Sequence, residues 1–136
     1  MMHLQAATTR GALICALFLN LSGCLSNPER PEPSVYGDPP HGYEQPAKDA
    51  VSALPYFNSH SDTWHFVNIG TPYRAYTNGM PVFSNKLIWS GYVVEVVVSV
   101  KNHIGYSNQD TFHVQFDGDK VHGVVGDLTR ESLNRF

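Results

Sequence analysis

The sequence predicts an α+β fold, in which one short N-terminal helix packs on a three- to four-stranded antiparallel meander. Two patterns support this prediction. Apolar residues within residues 47–54 recur at the spacing of one helix face, and residues 88–102 alternate in the manner of a strand. The chain has 136 residues, of which 42% are hydrophobic and 15% charged, and this length suits one domain.

Residues 1–23 have the pattern of a signal peptide. Arg10 precedes the apolar run GALICALFLNL, which is too short to cross a membrane as a helix. The run ends in Leu21-Ser22-Gly23-Cys24, which resembles the lipobox of bacterial lipoproteins. The resemblance implies cleavage before Cys24 and lipidation of Cys24. The alternatives are an ordinary signal peptide with an unrelated cysteine, and a buried N-terminal helix.

The cysteines and the residue after Cys24 extend this interpretation. Cys15 lies inside the apolar run, so the mature chain keeps Cys24 alone and has no thiol for a disulfide, a metal or a nucleophile. Leu25 stands where an Asp would retain enterobacterial lipoproteins in the inner membrane. The resemblance therefore implies an outer-membrane lipoprotein whose domain faces the periplasm or the cell surface.

The mature chain divides into a tether and a domain. Residues 25–46 contain six of the nine prolines and few apolar residues, which favours an extended, semi-rigid spacer. A ligand for an aromatic groove is the alternative interpretation of this proline-rich stretch. We therefore predict a signal peptide over residues 1–23, a lipidated Cys24 with a tether over residues 24–46, and a small α+β domain over residues 47–136.

The first predicted elements of that domain are a helix and two strands. The helix covers residues 47–54 and has an apolar face formed by Ala47, Ala50, Val51 and Leu54. Pro55 ends the helix because proline disfavours helical geometry in the residue before it. The first strand follows Thr63 and places Trp64, Phe66 and Ile69 on one face, and the second covers Tyr73 to Thr77.

The strongest strand signal in the chain is the stretch from Ile88 to Asn102. Its apolar face consists of Tyr92, Val94, Val96, Val98 and Val100. β-Branched residues at period two favour a strand, and the polar residues between them do not form a helical stripe. We expect this face to pack on the predicted helix and on Phe112 and Phe116.

A hairpin and a C-terminal helix complete the prediction. Asp117-Gly118 is typical of a two-residue turn, and the returning strand, Lys120 to Val125, would place Val121 inward. Asp127 would cap a short C-terminal helix that extends through Leu133.

The predicted turn also raises the question of a metal site. With Asp117 and Gly118 as the turn residues, His113 lies opposite His122, close enough for both imidazoles to bind zinc or copper. A shifted turn would pair Gln115 with His122 instead. Because no third ligand is fixed by spacing, we predict a polar, solvated sheet face, no metal and no cofactor.

The sequence does not predict an enzyme. His60, Asp62 and His65 could together do acid–base work in a small hydrolase, but no nucleophile motif or phosphate loop accompanies them. We therefore assign no catalytic residue.

Residues 91–121 resemble a group of small exported bacterial proteins. These proteins share a hydrophobic strand, a turn similar to Asn-Ala-Lys-Asn-Ser-Phe-Gly-Gly-Tyr and a closing hairpin. Lys101, Asn102, Gly105 and Tyr106 match that turn, whereas His103-Ile104 departs from it. The resemblance implies export and a strand–turn–hairpin core. Asn102 and Tyr106 are the candidate binding residues, and a purely structural role for the turn is the alternative.

These patterns predict a non-catalytic envelope lipoprotein that docks a protein or cell-wall partner at the outer membrane. Removing residues 1–23 removes one Arg and no acid, which leaves 8 Lys+Arg and 12 Asp+Glu, a net charge of −4. Such a surface does not favour nucleic acid as a partner. Two alternatives are an inhibitor or immunity protein against a cell-wall-degrading or toxic enzyme, and the hydrolase considered above. The oligomeric state is not predicted.

Overall fold

A computed structural model describes residues 27–58, 63–79, 85–126 and 133–136. The helical elements are a 3₁₀ turn (Pro33–Tyr36), α1 (Glu44–Ser52) and α2 (Pro55–Asn58). The strands are β1 (Trp64–Ile69), β2 (Tyr73–Asn78), β3 (Leu87–Lys101), β4 (Ser107–Asp117), β5 (Lys120–Gly126) and β6 (Leu133–Arg135).

The predicted α+β architecture, with one N-terminal helix on a three- to four-stranded meander, is wrong. The fold is dominated by a six-stranded antiparallel sheet in the order β5-β4-β3-β2-β6, with β1 also paired to β3. The described helices are short, and α1 has nine residues. The sheet is larger than predicted because β3 is long enough to pair with two strands along one edge, and because β6 returns to β2.

β3 organises the sheet. Its 15 residues pair with β4 along one edge, and with β1 and β2 in succession along the other. Between β1 and β2 the ladder continues through the Gly70 N–H, which donates to the Glu95 carbonyl at 2.7 Å. Pro72, which has no N–H to donate, lies at this break between the two strands. β1 and β2 therefore follow β3 as one interrupted strand.

The predicted apolar face of β3 forms the core. The side chains from Tyr92 to Val100 on alternate positions are buried and contact Phe112 and Phe116 of β4. Burial of each valine contributes about 1.5 kcal/mol or more. The predicted burial of this face is confirmed.

Helix α1 covers part of this core. Ala47 and Val51 are fully buried, and Ala50 and Leu54 pack at the margin, so the predicted apolar helix face is confirmed. The helix begins at Glu44, earlier than predicted, and Pro55 opens the one-turn helix α2. Proline suits this position because the first helical N–H needs no partner within the helix.

The turn of the β4–β5 hairpin lies one residue later than predicted. Asp117 pairs with Lys120, so Gly118 and Asp119 are the turn residues, and Gly118 adopts a φ of 59°. A register shift follows in β5, and as a result Val121 is exposed while Val124 packs against the core. The prediction that Val121 points inward is therefore wrong.

The C-terminal helix prediction fails at its described end. Residues Leu133–Arg135 form β6, which pairs with β2 through Ala75, Tyr76 and Thr77. Asp127, the predicted cap, lies outside the described residues. A short strand of this kind leaves too few residues to show a period of two in the sequence.

The N-terminal segment, residues 27–43, packs on the sheet. Tyr36 is buried and contacts Tyr92 edge to face, with ring centroids 6.2 Å apart. Burial, and to a lesser extent Tyr76, raises the pKa of the Tyr36 hydroxyl, although Arg30 and Arg74 oppose this shift. The Tyr92 hydroxyl donates to the Gly37 carbonyl at 3.0 Å. The packed part of the described chain therefore starts before residue 47, the predicted domain boundary.

Glu29 fixes the start of this segment to the Leu87 end of β3. Its carboxylate accepts a hydrogen bond from the Leu87 N–H at 2.9 Å. Its backbone N–H donates to the Asn85 carbonyl at 3.0 Å, and its carbonyl accepts from the Asn78 side chain at 2.6 Å. Three contacts at one residue define where the chain enters the fold.

Candidate functional site

The β3–β4 loop, residues 102–106, carries the two predicted binding residues. It closes through its own backbone: the Asn102 N–H donates to the Tyr106 carbonyl at 2.8 Å, and the Gly105 N–H donates to the Asn102 carbonyl at 3.0 Å. Gly105 has a φ of 92°, which side chains other than glycine rarely allow. The loop thus has a defined shape at the Lys101 end of β3.

Asn102 acts inside the loop. Its side-chain oxygen accepts hydrogen bonds from the N–H groups of Ile104, at 3.1 Å, and Tyr106, at 2.9 Å. This is the pattern by which Asn and Asp side chains stabilise turns. Asn102 is therefore a positioning residue, and its oxygen is engaged by the loop itself.

Ile104 and Tyr106 form the exposed part of the loop. Ile104 is 69% exposed and Tyr106 is 71% exposed, although both side chains are large and apolar in part. Single exposed apolar residues are ordinary on protein surfaces. Two of them on one hydrogen-bonded turn form a small surface on which a partner could bury apolar area.

A cleft of about 760 Å³ lies beside this loop. We refer to it as the β3–β4 cleft. It is lined by the start of β1, the end of β3 and the loop: Thr63, Trp64, His65, Lys101, Asn102, His103, Ile104, Gly105 and Ser107. Its side chains offer an ammonium group, two imidazoles, an amide and an indole. No carboxylate is among the described residues that line it.

The cleft results from strand pairing. The Lys101 N–H donates to the Thr63 carbonyl at 2.8 Å, which places the start of β1 against the end of β3. Sequence reasoning missed Lys101, Trp64 and His103 as cleft residues. The signal that could have found them is the antiparallel order, since the first residues of β1 and the last of β3 must meet at one edge.

The predicted pairing of His113 with His122 is wrong, and so is the alternative pairing of Gln115 with His122. His113 lies opposite Val125, and Gln115 lies opposite Gly123. The register shift leaves His122 as the extra residue of β5, opposite no single partner in β4. Within the described part of the chain, no group of three potential ligands lies close enough to hold a metal ion.

The two histidines have different surroundings. His113 is 1% exposed, and its Nδ1 lies 3.4 Å from the Tyr73 hydroxyl and 3.9 Å from Glu95 Oε1. The predicted solvated face is thus wrong at His113. His122 is exposed, and its Nδ1 lies 2.8 Å from Asp117 Oδ2.

Asp117 joins three strands at the Leu87 end of β3. The Trp89 indole N–H donates to Asp117 Oδ1 at 2.8 Å, and the Trp89 and His122 rings lie 5.7 Å apart. Sequence reasoning missed this cluster, which depends on the shifted hairpin register. Because Asp117 holds a buried indole in place, we interpret the cluster as structural.

Of the remaining candidates, His65 alone lies among the described residues. Cys24, His60 and Asp62 lie outside the described residues. His65 is exposed and lies in the β3–β4 cleft, paired across the sheet with Ser99.

No family model, no curated protein and no solved structure matches this chain. In the described part of the chain, every helix is too short or too polar to cross a membrane.

Proposed function

We propose that the protein is a non-catalytic outer-membrane lipoprotein, acylated at Cys24, that docks an envelope protein or cell-wall partner through the β3–β4 loop. The lipobox at Leu21–Cys24 supports the anchor. The exposed Ile104 and Tyr106 support the docking surface.

The observation that carries the proposal is that the N-terminal segment and the β3–β4 loop lie at opposite ends of β3. Glu29 is bound at Leu87, the first residue of β3, whereas the loop follows Lys101, the last. At about 3.3 Å per residue, a strand of 15 residues spans roughly 46 Å. The five residues from Cys24 to Glu29 reach at most about 17 Å. A lipid on Cys24 would therefore hold the Leu87 end near the bilayer, and the loop lies at the opposite end of β3. In this proposal β3 points away from the bilayer, so that the loop is far from it.

An inhibitor or immunity protein is the second candidate. A protruding turn with a fixed backbone and two exposed apolar residues is also a suitable plug for the cleft of a lytic or toxic enzyme. The two candidates differ in what contacts Tyr106: a resident envelope component in the first, and an enzyme whose activity falls in the second.

The anchor is tested by mass spectrometry of the mature N-terminus after expression in a Gram-negative host. We expect a lipid-modified Cys24 and membrane association that Cys24→Ala abolishes. A mature N-terminus at another residue, or membrane association unchanged in Cys24→Ala, would exclude the lipoprotein assignment.

Docking is tested by a photo-crosslinking residue placed at Tyr106 or, as a control, at Ile88. Ile88 is 71% exposed, as Tyr106 is, but lies at the other end of β3. We expect a specific cross-linked product in intact cells from position 106 and none from position 88. Equal products at both positions, or none at position 106, would contradict docking through the loop. Identification of the product, followed by an activity assay if it is an enzyme, separates the two candidates.

A further inference from the structure

Strand β4 extends beyond its neighbour β5, so part of its outer edge has no strand beside it. β3 pairs with β4 over its whole length, whereas β5 pairs only with residues 112–117. Among the described residues, no strand pairs with the outer edge of residues 107–110, which we call the β4 edge. Ser107, Asn108 and Gln109 are exposed, so this edge is accessible.

The pairing with β3 fixes the direction of the backbone groups along the β4 edge. In an antiparallel ladder, every second residue bonds to one neighbouring strand, and the residues between them point their N–H and C=O groups to the other side. The Asn102 N–H donates to the Tyr106 carbonyl, and the register is unbroken from there along β4. The residues of the β4 edge that bond to β3 are therefore Asn108 and Asp110.

Ser107 and Gln109 consequently point their backbone groups outward. Together they present two N–H donors and two C=O acceptors, and the two residues lie about 7 Å apart in an extended chain. No backbone partner for these groups lies among the described residues. A row of main-chain donors and acceptors with this spacing is complementary to another extended main chain.

The β4 edge lacks the features that commonly protect a sheet edge from further pairing. In the described part of the chain, β1 and β5 also pair on one side only, but each carries a register shift that interrupts its ladder. Residues 107–110 contain no register shift, no proline and no lysine. Their one charged side chain, Asp110, accepts a hydrogen bond from the Tyr56 hydroxyl at 2.8 Å.

Two neighbours of the β4 edge offer apolar area to an added strand. Tyr106 directly precedes the edge and is 71% exposed, so such a strand would run beside the proposed docking loop. Tyr56, bound to Asp110, is 42% exposed and lies beside the edge on the core side of the sheet. A segment with apolar side chains at alternate positions would therefore bury area as well as form backbone hydrogen bonds.

The proposed anchor argues against a second copy of this chain as the occupant. Two copies joined antiparallel through the same edge have β3 strands that point in opposite directions. Their Leu87 ends could not then both lie at one bilayer. We propose that the β4 edge binds an extended, apolar segment of the docking partner as an added strand, through the backbone of Ser107 and Gln109. This inference rests on the proposed function, of which it gives the mode of docking.

Two substitutions at Gln109 separate its backbone from its side chain. Gln109→Pro removes an outward N–H and leaves the bonds between β4 and β3 in place, whereas Gln109→Ala removes the side chain and keeps the N–H. Each is combined with the photo-crosslinking residue at Tyr106 in the full chain, in intact cells. We expect about ten times less cross-linked protein from the proline variant than from the alanine variant, because the added strand loses a donor. Urea unfolding of both variants checks that the fold is retained.

Hydrogen exchange supplies a test that needs no proline. In the free protein, we expect slow exchange at the Asn108 and Asp110 amides and fast exchange at Ser107 and Gln109. In the purified complex cross-linked at Tyr106, exchange at Ser107 and Gln109 should slow at least about tenfold. Slow exchange at both amides in the free protein, or fast exchange at both in the complex, would overturn the inference even if the proline variant does not fold.

The outcome is separable from that of the proposed function. A cross-linked partner obtained equally from folded Gln109→Pro and Gln109→Ala would overturn strand addition and leave docking through the loop intact. A product that consists of two copies of this chain would overturn the assignment of the occupant. The absence of any product at Tyr106 would contradict docking and strand addition together.

Discussion

At the Leu87 end of β3, the Glu29 carboxylate accepts a hydrogen bond from the Leu87 N–H, and the Asp117 carboxylate accepts one from Trp89 and contacts His122, so that the N-terminal segment, β3, β4 and β5 are joined. At the Lys101 end, the β3–β4 loop is held by Asn102 and its own backbone. The first end buries Tyr36 and Trp89, and the second exposes Ile104 and Tyr106. The chain entry is thus bound to one end of β3, and the loop with its two exposed side chains lies at the other end. This separation is the feature on which the proposed function depends.

The middle of β3 connects the two ends. Substitution of a buried residue there should have the largest effect on stability. Val96 is fully buried, paired with Phe112 on one side and Ile69 on the other. We expect Val96→Asp to prevent stable folding, because an unpaired carboxylate in this core costs about 4 kcal/mol or more and small domains have only about 5–15 kcal/mol of stability.

Circular dichroism and urea unfolding would measure the effect of Val96→Asp. Val67→Asp is the control, since Val67 is an exposed valine of β1. A soluble Val96→Asp variant that unfolds at the same urea concentration as the Val67→Asp variant would mean that the valine face of β3 is not the core.

Tyr36 tests whether the N-terminal segment belongs to the fold. Its ring packs against Tyr92 and, at 5.2 Å, against Phe136, while its buried hydroxyl has no hydrogen-bond partner among the described residues. We therefore expect Tyr36→Ala to lower the free energy of unfolding by about 3 kcal/mol, and Tyr36→Phe to change it by less than about 0.5 kcal/mol. Endoproteinase Glu-C, whose sites after Glu29 and Glu44 are unchanged by the substitution, should cleave the alanine variant faster between residues 27 and 46. An alanine variant as stable as the phenylalanine variant would show that this segment is a free tether.

Gly91 tests the packing of the Leu87 end. A Cβ there would meet the Phe116 carbonyl oxygen and lie 2.6 Å from the Trp89 ring. Since the Trp89 indole is bound to Asp117, neither neighbour can move away without loss of a contact. We expect Gly91→Ala to destabilise the protein by about 1–3 kcal/mol in urea unfolding. The control is Gly123→Ala, whose Cβ would make an ordinary 3.6 Å contact with Gln115. Equal stability of the two variants would refute the tight packing inferred at Gly91.

Substitution of Asn102 should have the smallest effect on the global stability of the protein. Removing its side chain in Asn102→Ala leaves the Ile104 and Tyr106 N–H groups without their acceptor, yet the loop is exposed and water can replace it. We expect a loss of at most about 1 kcal/mol, with faster hydrogen exchange confined to those two amides. Asn108→Ala, at an exposed position of β4, is the matched control and should leave the exchange rates unchanged. Exchange at Ile104 and Tyr106 that is unaltered in Asn102→Ala would mean that the loop does not depend on this residue.

The sequence predicts the local elements better than their arrangement. The valine face of β3 and the apolar face of α1 follow from periodicity alone, because each is long enough to show its repeat. The six-stranded sheet does not follow from periodicity, because β6 has only three residues and because β1 and β2 share one edge of β3. Residues 27–43 pack through one aromatic anchor, Tyr36, and their proline content predicts only an extended chain.

Register errors explain what the sequence missed at the candidate sites. The Asp117-Gly118 signal is displaced by one residue in the turn, and a bulge then places Val125 opposite His113. No local pattern marks that bulge. The β3–β4 loop was found because glycine and asparagine in a turn carry a local signal. The sequence does not predict the cleft beside the loop, because its lining combines residues of β1 and β3 that are distant in the sequence.

The central claim, that β3 holds the lipidated end and the docking loop apart, is tested most directly by energy transfer to the bilayer. A donor dye would be attached to a single new cysteine in Ile88→Cys or Ile104→Cys, in the lipidated chain reconstituted with acceptor-labelled lipids. In a chain acylated at Cys24, as we propose, that sulfur would carry the lipid and would not compete for the dye. We predict strong transfer from position 88 and weak transfer from position 104, as expected for ends of a strand roughly 46 Å apart. Equal transfer from both positions, or stronger transfer from position 104, would contradict the claim.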